Sequence, residues 1–236
     1  MTSPDLIRKT RPPRGNGESR WPAAIATVLA ILLYGALPSD LLVGPRYVIP
    51  VLELVILGMV VVDNPVRMTR QTRRSRITAL ILTFLIMATN LVSLVLLLHR
   101  LVSSGTDQAG ALLLAALQIW LTNVIVFGLA YWELDRGGPV LRRHTARPLL
   151  PAADFRFPQD EDHDTIEEVA KGSSAKSGWL PSYLDYAYVS LSNSSAFSPT
   201  DTMPLTSRAK ALMAIESTMA LVTSVVVIAK GVGNLH

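Results

Sequence analysis

The hydrophobic positions of the chain fall in long blocks rather than in alternation. A first block runs from Trp21 to about Leu42, a second from Tyr47 to Val62, a third from Ile77 to Leu98, a fourth from Gly110 to Trp132, and a fifth from Ala211 to Ala229. About 20 helical residues cross the ~30 Å hydrocarbon layer of a bilayer. The third, fourth and fifth blocks meet that length. The second is short and needs its flanks, and the first depends on where it ends. The pattern predicts an all-α polytopic membrane protein of about five transmembrane helices.

The polar stretches divide the chain further. Residues 1–20 are basic and rich in turn formers, which predicts a disordered cytoplasmic tail. The first block resembles the apolar core of a signal peptide, but no A-x-A site follows it, so an uncleaved helix is expected. Residues 21–109 then form a three-helix N-terminal membrane region and 110–132 a further span. A loosely ordered polar loop is expected over 133–180, with a short helix near Thr165–Lys171. Residues 181–236 hold a short helix and the last span. Pro181 and Ser182 make a good helix start. Leu184, Ala187, Tyr188 and Leu191 recur at helical spacing, which predicts a helix from Ser182 to Ser194. "SAFSPTDTMPLT" follows it. Polar backbone at membrane depth needs cover from protein or water. A re-entrant helix and loop before the last span is therefore expected; the alternative is an amphipathic helix on the surface with a proline-rich turn.

Composition and charge narrow the function. Only 17% of the 236 residues are charged, against about a quarter in an ordinary soluble domain. There is no cysteine, which excludes disulfides, iron–sulfur clusters and thiol catalysis. The net charge of +4 sits in clusters beside the apolar blocks. Arg8, Lys9, Arg11, Arg14 and Arg20 precede the first, Arg67, Arg70, Arg73, Arg74 and Arg76 separate the second and third, and Arg136, Arg142, Arg143 and Arg147 follow the fourth. A plasma-membrane protein with a cytoplasmic N-terminus puts all three on one side. Its partner is then the lipid bilayer and not nucleic acid.

Two acidic residues stand inside apolar blocks, Glu53 in the second and Glu216 in the fifth. An ionised carboxylate in mid-membrane costs about 2.5–3.5 kcal/mol on insertion scales, so it faces protein or water and pairs. Both are candidates for cation binding or proton transfer; the alternative is a glutamate that bonds a neighbouring helix. Ala214, Ser217, Ala220 and Ser224 form a small-residue stripe for close packing, and Asn90, Gln118, Thr122 and Asn123 are candidates for cross-helix hydrogen bonds. Asp160–Asp164 lacks the ligand rhythm of a calcium loop. The histidines lack zinc-ligand spacing. No nucleophile elbow, phosphate loop or catalytic carboxylate pair is present. No enzyme activity, metal or cofactor is expected.

The stretch from Asp185 to Glu216 resembles the pore module of prokaryotic two-transmembrane proteins of the potassium-channel superfamily. Asp185, Tyr188, Ser190 and Leu191 match the pore-helix part, Ser195–Asp201 stands at the filter, Pro204 keeps the proline three residues after the aspartate, and "ALMAIE" (Ala211–Glu216) matches the head of the inner helix. The segment is also similar to the ends of a family of uncharacterised bacterial multi-pass proteins. The resemblance implies a cation-channel-like protein, oligomeric around one axis, a homotetramer by analogy. Its filter-like residues are Ser194, Ser195, Phe197, Ser198, Pro199, Thr200 and Asp201. Ser198 and Thr200 occupy the glycine positions, with Pro199 between them. Proline fixes φ and restricts its predecessor, so a potassium-selective ladder of carbonyls is not expected. Hydroxyl and carboxylate oxygens there suit hard monovalent or divalent cations. The other readings are a non-conducting partner-binding or regulatory protein, and an ion-coupled transporter.

Overall fold

The computed structural model describes residues 17–63, 66–69, 72–103, 109–160, 178–195 and 201–233. Seven α-helices are described: α1 Trp21–Gly35, α2 Val48–Asp63, α3 Arg73–Ser103, α4 Ala109–Leu134, α5 Pro139–His144, α6 Tyr183–Ser194 and α7 Ser207–Gly233. One exception to an all-α chain is a two-residue antiparallel ladder, in which β1 (Phe155–Arg156) pairs with β2 (Met203–Pro204).

Among the described residues, three helical stretches are long and apolar enough to cross a membrane: Arg73–Leu101, Gly110–Gly137 and Ser207–Ile228. The first two apolar blocks give shorter rods. α1 has 15 residues and α2 has 16, or roughly 23 Å each at 1.5 Å per residue. α1 stops at Gly35 rather than near Leu42 because Pro38 and a 3-10 turn over Ser39–Leu41 follow. Pro50 sits in the first turn of α2, where its missing N–H deprives the helix of nothing. The Thr72 hydroxyl accepts from Ser75 N at 3.0 Å at the start of α3, and the Thr206 hydroxyl accepts from Ala209 N at 3.3 Å at the start of α7. Both are N-caps that satisfy an otherwise orphaned helix donor.

The helices are inside-out by the standard of a water-soluble protein. Ile25, Leu29 and Leu32 of α1, Val51, Val55 and Met59 of α2, Ile81, Phe84 and Val95 of α3, and Leu221, Val225 and Ile228 of α7 are exposed. Thr27, Glu53, Thr89, Asn90, Ser93, Thr122, Asn123 and Glu216 are buried. A soluble helix turns its apolar stripe inward. Helices in lipid have no such drive and use small and polar residues as their contacts.

α4 is the central helix, touching α1, α3, α6 and α7, while α2 packs on α1 and α3. At one end of the bundle, Met68 N donates to Glu18 O at 3.1 Å, Arg20 N to Val66 O at 3.3 Å, and His144 Nε2 lies 3.3 Å from Met68 O. The residues before α1, the α2–α3 linker and α5 therefore share that end, which brings together the described members of the three arginine clusters. Two expectations are corrected here. Glu18 and Arg20, read as the end of a disordered tail, are buried parts of the fold. Residues 135–160, read as a loosely ordered loop, are packed, with Asp135, Arg142, Asp154, Phe155 and Phe157 all buried. The chain leaves α4 through Arg136, Gly137 and Gly138 at φ of 51°, 82° and 99°, a left-handed run that glycine tolerates and arginine resists. The helix expected near Thr165–Lys171 lies outside the described residues.

Candidate functional site, a short helix closed over Glu216

α6 begins on a capping box: Ser182 N and its hydroxyl both meet Asp185 Oδ2, at 2.7 and 2.8 Å. Asp185, matched above to a pore-helix residue, thus secures the helix start. From there α6 runs antiparallel along α4. Tyr183 stacks edge-on against Trp132 with centroids 6.1 Å apart. A Cβ added to Gly128 would stand 3.1 Å from Ala187 Cα, so glycine is what lets the two backbones meet. The Ser190 hydroxyl lies 2.7 Å from Val124 O, and Trp120 Nε1 lies 3.4 Å from Ser194 O. Over its 12 residues, roughly 18 Å, α6 therefore travels from the Trp132 end of α4 to Trp120.

The face that α6 turns to the bundle is not the one its apolar spacing selected. Leu184, Tyr188 and Leu191 are exposed, and Tyr183, Tyr186, Val189, Ser190 and Ser194 are buried. The reason is the inversion seen in the other helices: the hydroxyl-bearing face meets protein and the apolar face is left outward.

What the polar face meets is Glu216. Its side chain is fully buried on α7. Oε2 accepts from the Tyr131 hydroxyl of α4 at 2.5 Å and from Asn193 Nδ2 at 2.6 Å. Oε1 accepts from Ser194 Oγ at 3.0 Å and makes a short contact with the Ser190 hydroxyl. Asn123 Nδ2 of α4 reaches Glu216 O at 3.3 Å, and the Ser217 hydroxyl donates to Asn193 Oδ1 at 2.9 Å. An ionised carboxylate offers about four lone-pair directions, and here four groups surround them. Helices α4, α6 and α7 are thereby tied at one point.

The outer end of α6 is held by a second set of buried charges. Asp135 Oδ2 accepts from the Tyr186 hydroxyl at 2.5 Å, and its Oδ1 accepts from Asp154 N at 2.7 Å. Asp154 in turn accepts from the Thr206 hydroxyl at 2.5 Å and from Arg208 Nε at 2.7 Å, which fixes the start of α7. Arg142 donates through Nη1 to Trp132 O at 3.0 Å and Asp135 O at 2.9 Å, with Nη2 3.8 Å from Glu18 Oε2. Glu18 Oε1 accepts from Trp132 Nε1 at 3.0 Å and Tyr183 N at 2.9 Å. Burial pushes the Glu18 carboxyl above the ordinary carboxylate range, opposed chiefly by the Arg142 guanidinium.

The expected site residues are thus distributed unevenly. Ser194 and Glu216 meet. Ser195 follows as the helix cap, with its hydroxyl on Leu191 O at 2.7 Å. Phe197, Ser198, Pro199 and Thr200 lie outside the described residues. Asp201 is exposed. Glu53 is elsewhere, on the face of α2 that meets α3, with Tyr34 and Thr89 for neighbours. Tyr131 and Asn193 were not singled out in the sequence. The available signal was the i, i+3, i+4 placement of Ser190, Asn193 and Ser194 on one helical face. Among the described residues, no group of three or more acidic or histidine side chains is placed to hold a metal ion. No protein-family model, curated protein or solved structure matches the chain.

Proposed function

We propose that the chain is an integral membrane protein of the cation-channel type. In it, α6 is a re-entrant helix that leads into a degenerate filter not selective for potassium. The observation that carries the reading is the course of α6, from Trp132 to Trp120 beside a helix long enough to span, with its C-terminal end over Glu216. A helix C-terminus carries partial negative charge. Backed by a carboxylate and flanked by the Ser194 and Ser195 hydroxyls, that end favours a cation. Glu216 acts on it through charge rather than as a ligand, because its lone pairs are already engaged.

The five-span count fits the same picture. Ser93 Oγ of α3 donates to Leu41 O at 2.8 Å, and Arg100 pairs with Asp40. The turn joining α1 and α2 reaches the far third of α3, which supports counting both short helices as spans. With the arginine-rich end cytoplasmic, α6 enters from the cytoplasm. In the proposed homotetramer each chain supplies one such helix, and the outward Leu184–Tyr188–Leu191 face meets lipid or a neighbouring copy.

Planar bilayers holding the purified protein test this. Discrete cation currents, altered in size or preference by Asp201→Asn, are expected. The completeness of the Glu216 hydrogen bonding favours the second reading, a non-conducting regulatory or partner-binding protein that keeps the pore-module frame. Silent bilayers together with a stable specific partner would replace the first reading by that one. Proton- or sodium-dependent solute uptake abolished by Glu216→Gln would replace both by a transporter.

A further inference from the structure

α2 touches the bundle along a narrow seam. Its buried residues are Glu53, Leu57 and Val60, at i, i+4 and i+7; Ile49, Ile56 and Val61 are half-buried beside them, and most of its other apolar side chains are exposed. Packing alone calls for an aliphatic residue at the first of these positions, yet a glutamate fills it with no solvent exposure. Neither Oε1 nor Oε2 accepts a hydrogen bond from any described residue.

The neighbours explain which form of the carboxyl fits. Thr89 of α3 is the polar side chain beside it. The single Thr89 hydroxyl proton is engaged by the carbonyls of Leu85 and Ile86, at 3.1 and 3.0 Å. Toward Glu53 the Thr89 oxygen therefore has lone pairs to offer and no proton. The titratable neighbour on α1 is Tyr34, whose hydroxyl accepts from Val43 N at 2.9 Å. No arginine, lysine or histidine forms an ion pair with Glu53 among the described residues. A carboxylate here would have no cation beside it in an apolar seam, where an unpaired ion is costly. A carboxylic acid would have a donor of its own and an acceptor waiting for it. A hard cation would need about six oxygens, which this seam does not assemble.

We propose that Glu53 is a proton-binding site within the bundle, occupied in the folded protein, with the acid O–H donating to Thr89 Oγ1. Release of that proton leaves a bare anion on the seam that holds α2, so proton occupancy governs how firmly α2 docks on α3. The site is separate from Glu216 and does not depend on whether the protein conducts.

Infrared spectroscopy of the membrane-reconstituted protein reads the proton directly. At a pH where solvated glutamate is ionised, the wild type should show the C=O stretch of a protonated carboxylic acid. Glu53→Gln should remove that band and Glu216→Gln should keep it. Thr89→Val should shift it to higher frequency, as the acid loses its acceptor. No acid band in the wild type, or a band that Glu53→Gln leaves intact, overturns the proposal. Should Glu53→Gln fail to fold, a hydrophobic carbodiimide applied to the wild type serves instead. The acid proton passes to a carbodiimide nitrogen, the carboxylate oxygen bonds the central carbon, and the product rearranges to a stable N-acylurea. Adduct on Glu53, fading as pH rises, is expected. Adduct confined to exposed carboxyls in protein that the reagent demonstrably enters would contradict it.

Discussion

Glu216 and Glu53 are both fully buried glutamates in apolar helices, and they have opposite surroundings. Glu216 stands among Tyr131, Ser190, Asn193 and Ser194, so its carboxylate is surrounded by donors from two other helices. Glu53 receives no donor among the described residues. The first is a joint whose oxygens all find partners, and the second is a seam residue that needs a proton. Burial alone would have classed them together; the direction in which neighbouring protons point separates them.

The largest effect that could break this contrast comes from removing each glutamate. Glu216→Leu leaves the Tyr131 and Ser194 hydroxyls without their acceptor, while Ser190 and Asn193 keep the carbonyls of Val124 and Met213. Two orphaned buried donors at about 1–3 kcal/mol each predict a loss of about 2–6 kcal/mol. Glu53→Leu fills the same seam without a desolvated acid and should be neutral or stabilising. Thermal unfolding of both variants in one detergent checks the pair. Equal losses would erase the distinction.

Next in size is Gly128→Ala. Its new methyl would meet the α6 backbone at Ala187, with a Cα 3.1 Å away. The backbone has little room to yield, so a loss of about 1–3 kcal/mol is expected, accompanied by faster proteolysis between α5 and α7. An unchanged variant would mean that α6 does not press on α4 there.

Glu18 gives a smaller, pH-dependent effect. Its folded-state pKa lies above the ordinary value of 4.5, so the native state holds this proton more tightly than the unfolded chain. Its contribution is complete below the unfolded value and is lost as pH rises through the folded one. Stability of the wild type should therefore decline on raising pH from that ordinary value, and Glu18→Gln should flatten the decline. A decline of unchanged slope in the variant would place its origin elsewhere. Smallest of all is Asp201→Asn. Asp201 is exposed, so stability should shift by no more than about 0.5 kcal/mol, leaving any change in current attributable to the lost charge.

Much of the helical layout was legible because long apolar runs admit few other structures. The short α6 was legible too, from Pro181 and Ser182 at its head and the helical spacing after them. Its orientation was not. Leu184, Tyr188 and Leu191 carry the apolar period that buries a helix in water, and here they face outward while Ser190 and Ser194 face in. Period reveals that a helix has two faces; the surrounding medium decides which one is hidden. Residues 135–160 misled in another way. Their charges read as solvated, but Asp135, Arg142 and Asp154 are buried and find partners far along the chain, such as Tyr186, Glu18 and Arg208. Such pairings have no short-range spacing to betray them. Glu53 and Glu216 were visible as anomalies, while their difference lay in Tyr131, Asn193 and Thr89, polar residues unremarkable by themselves.

The central claim is that α6 descends into the bilayer beside α4. Leu184 and Leu191 both point outward, so spin labels on single cysteines at these positions leave the packing intact, and the chain has no native cysteine to interfere. Seven residues of helix separate them, or about 10 Å at 1.5 Å per residue. Accessibility to oxygen against a polar nickel chelate, in reconstituted membranes, should place the Leu191 label deeper than the Leu184 label by up to about that distance. Two labels at the same depth among the headgroups would show a helix lying flat, and the re-entrant account would be wrong.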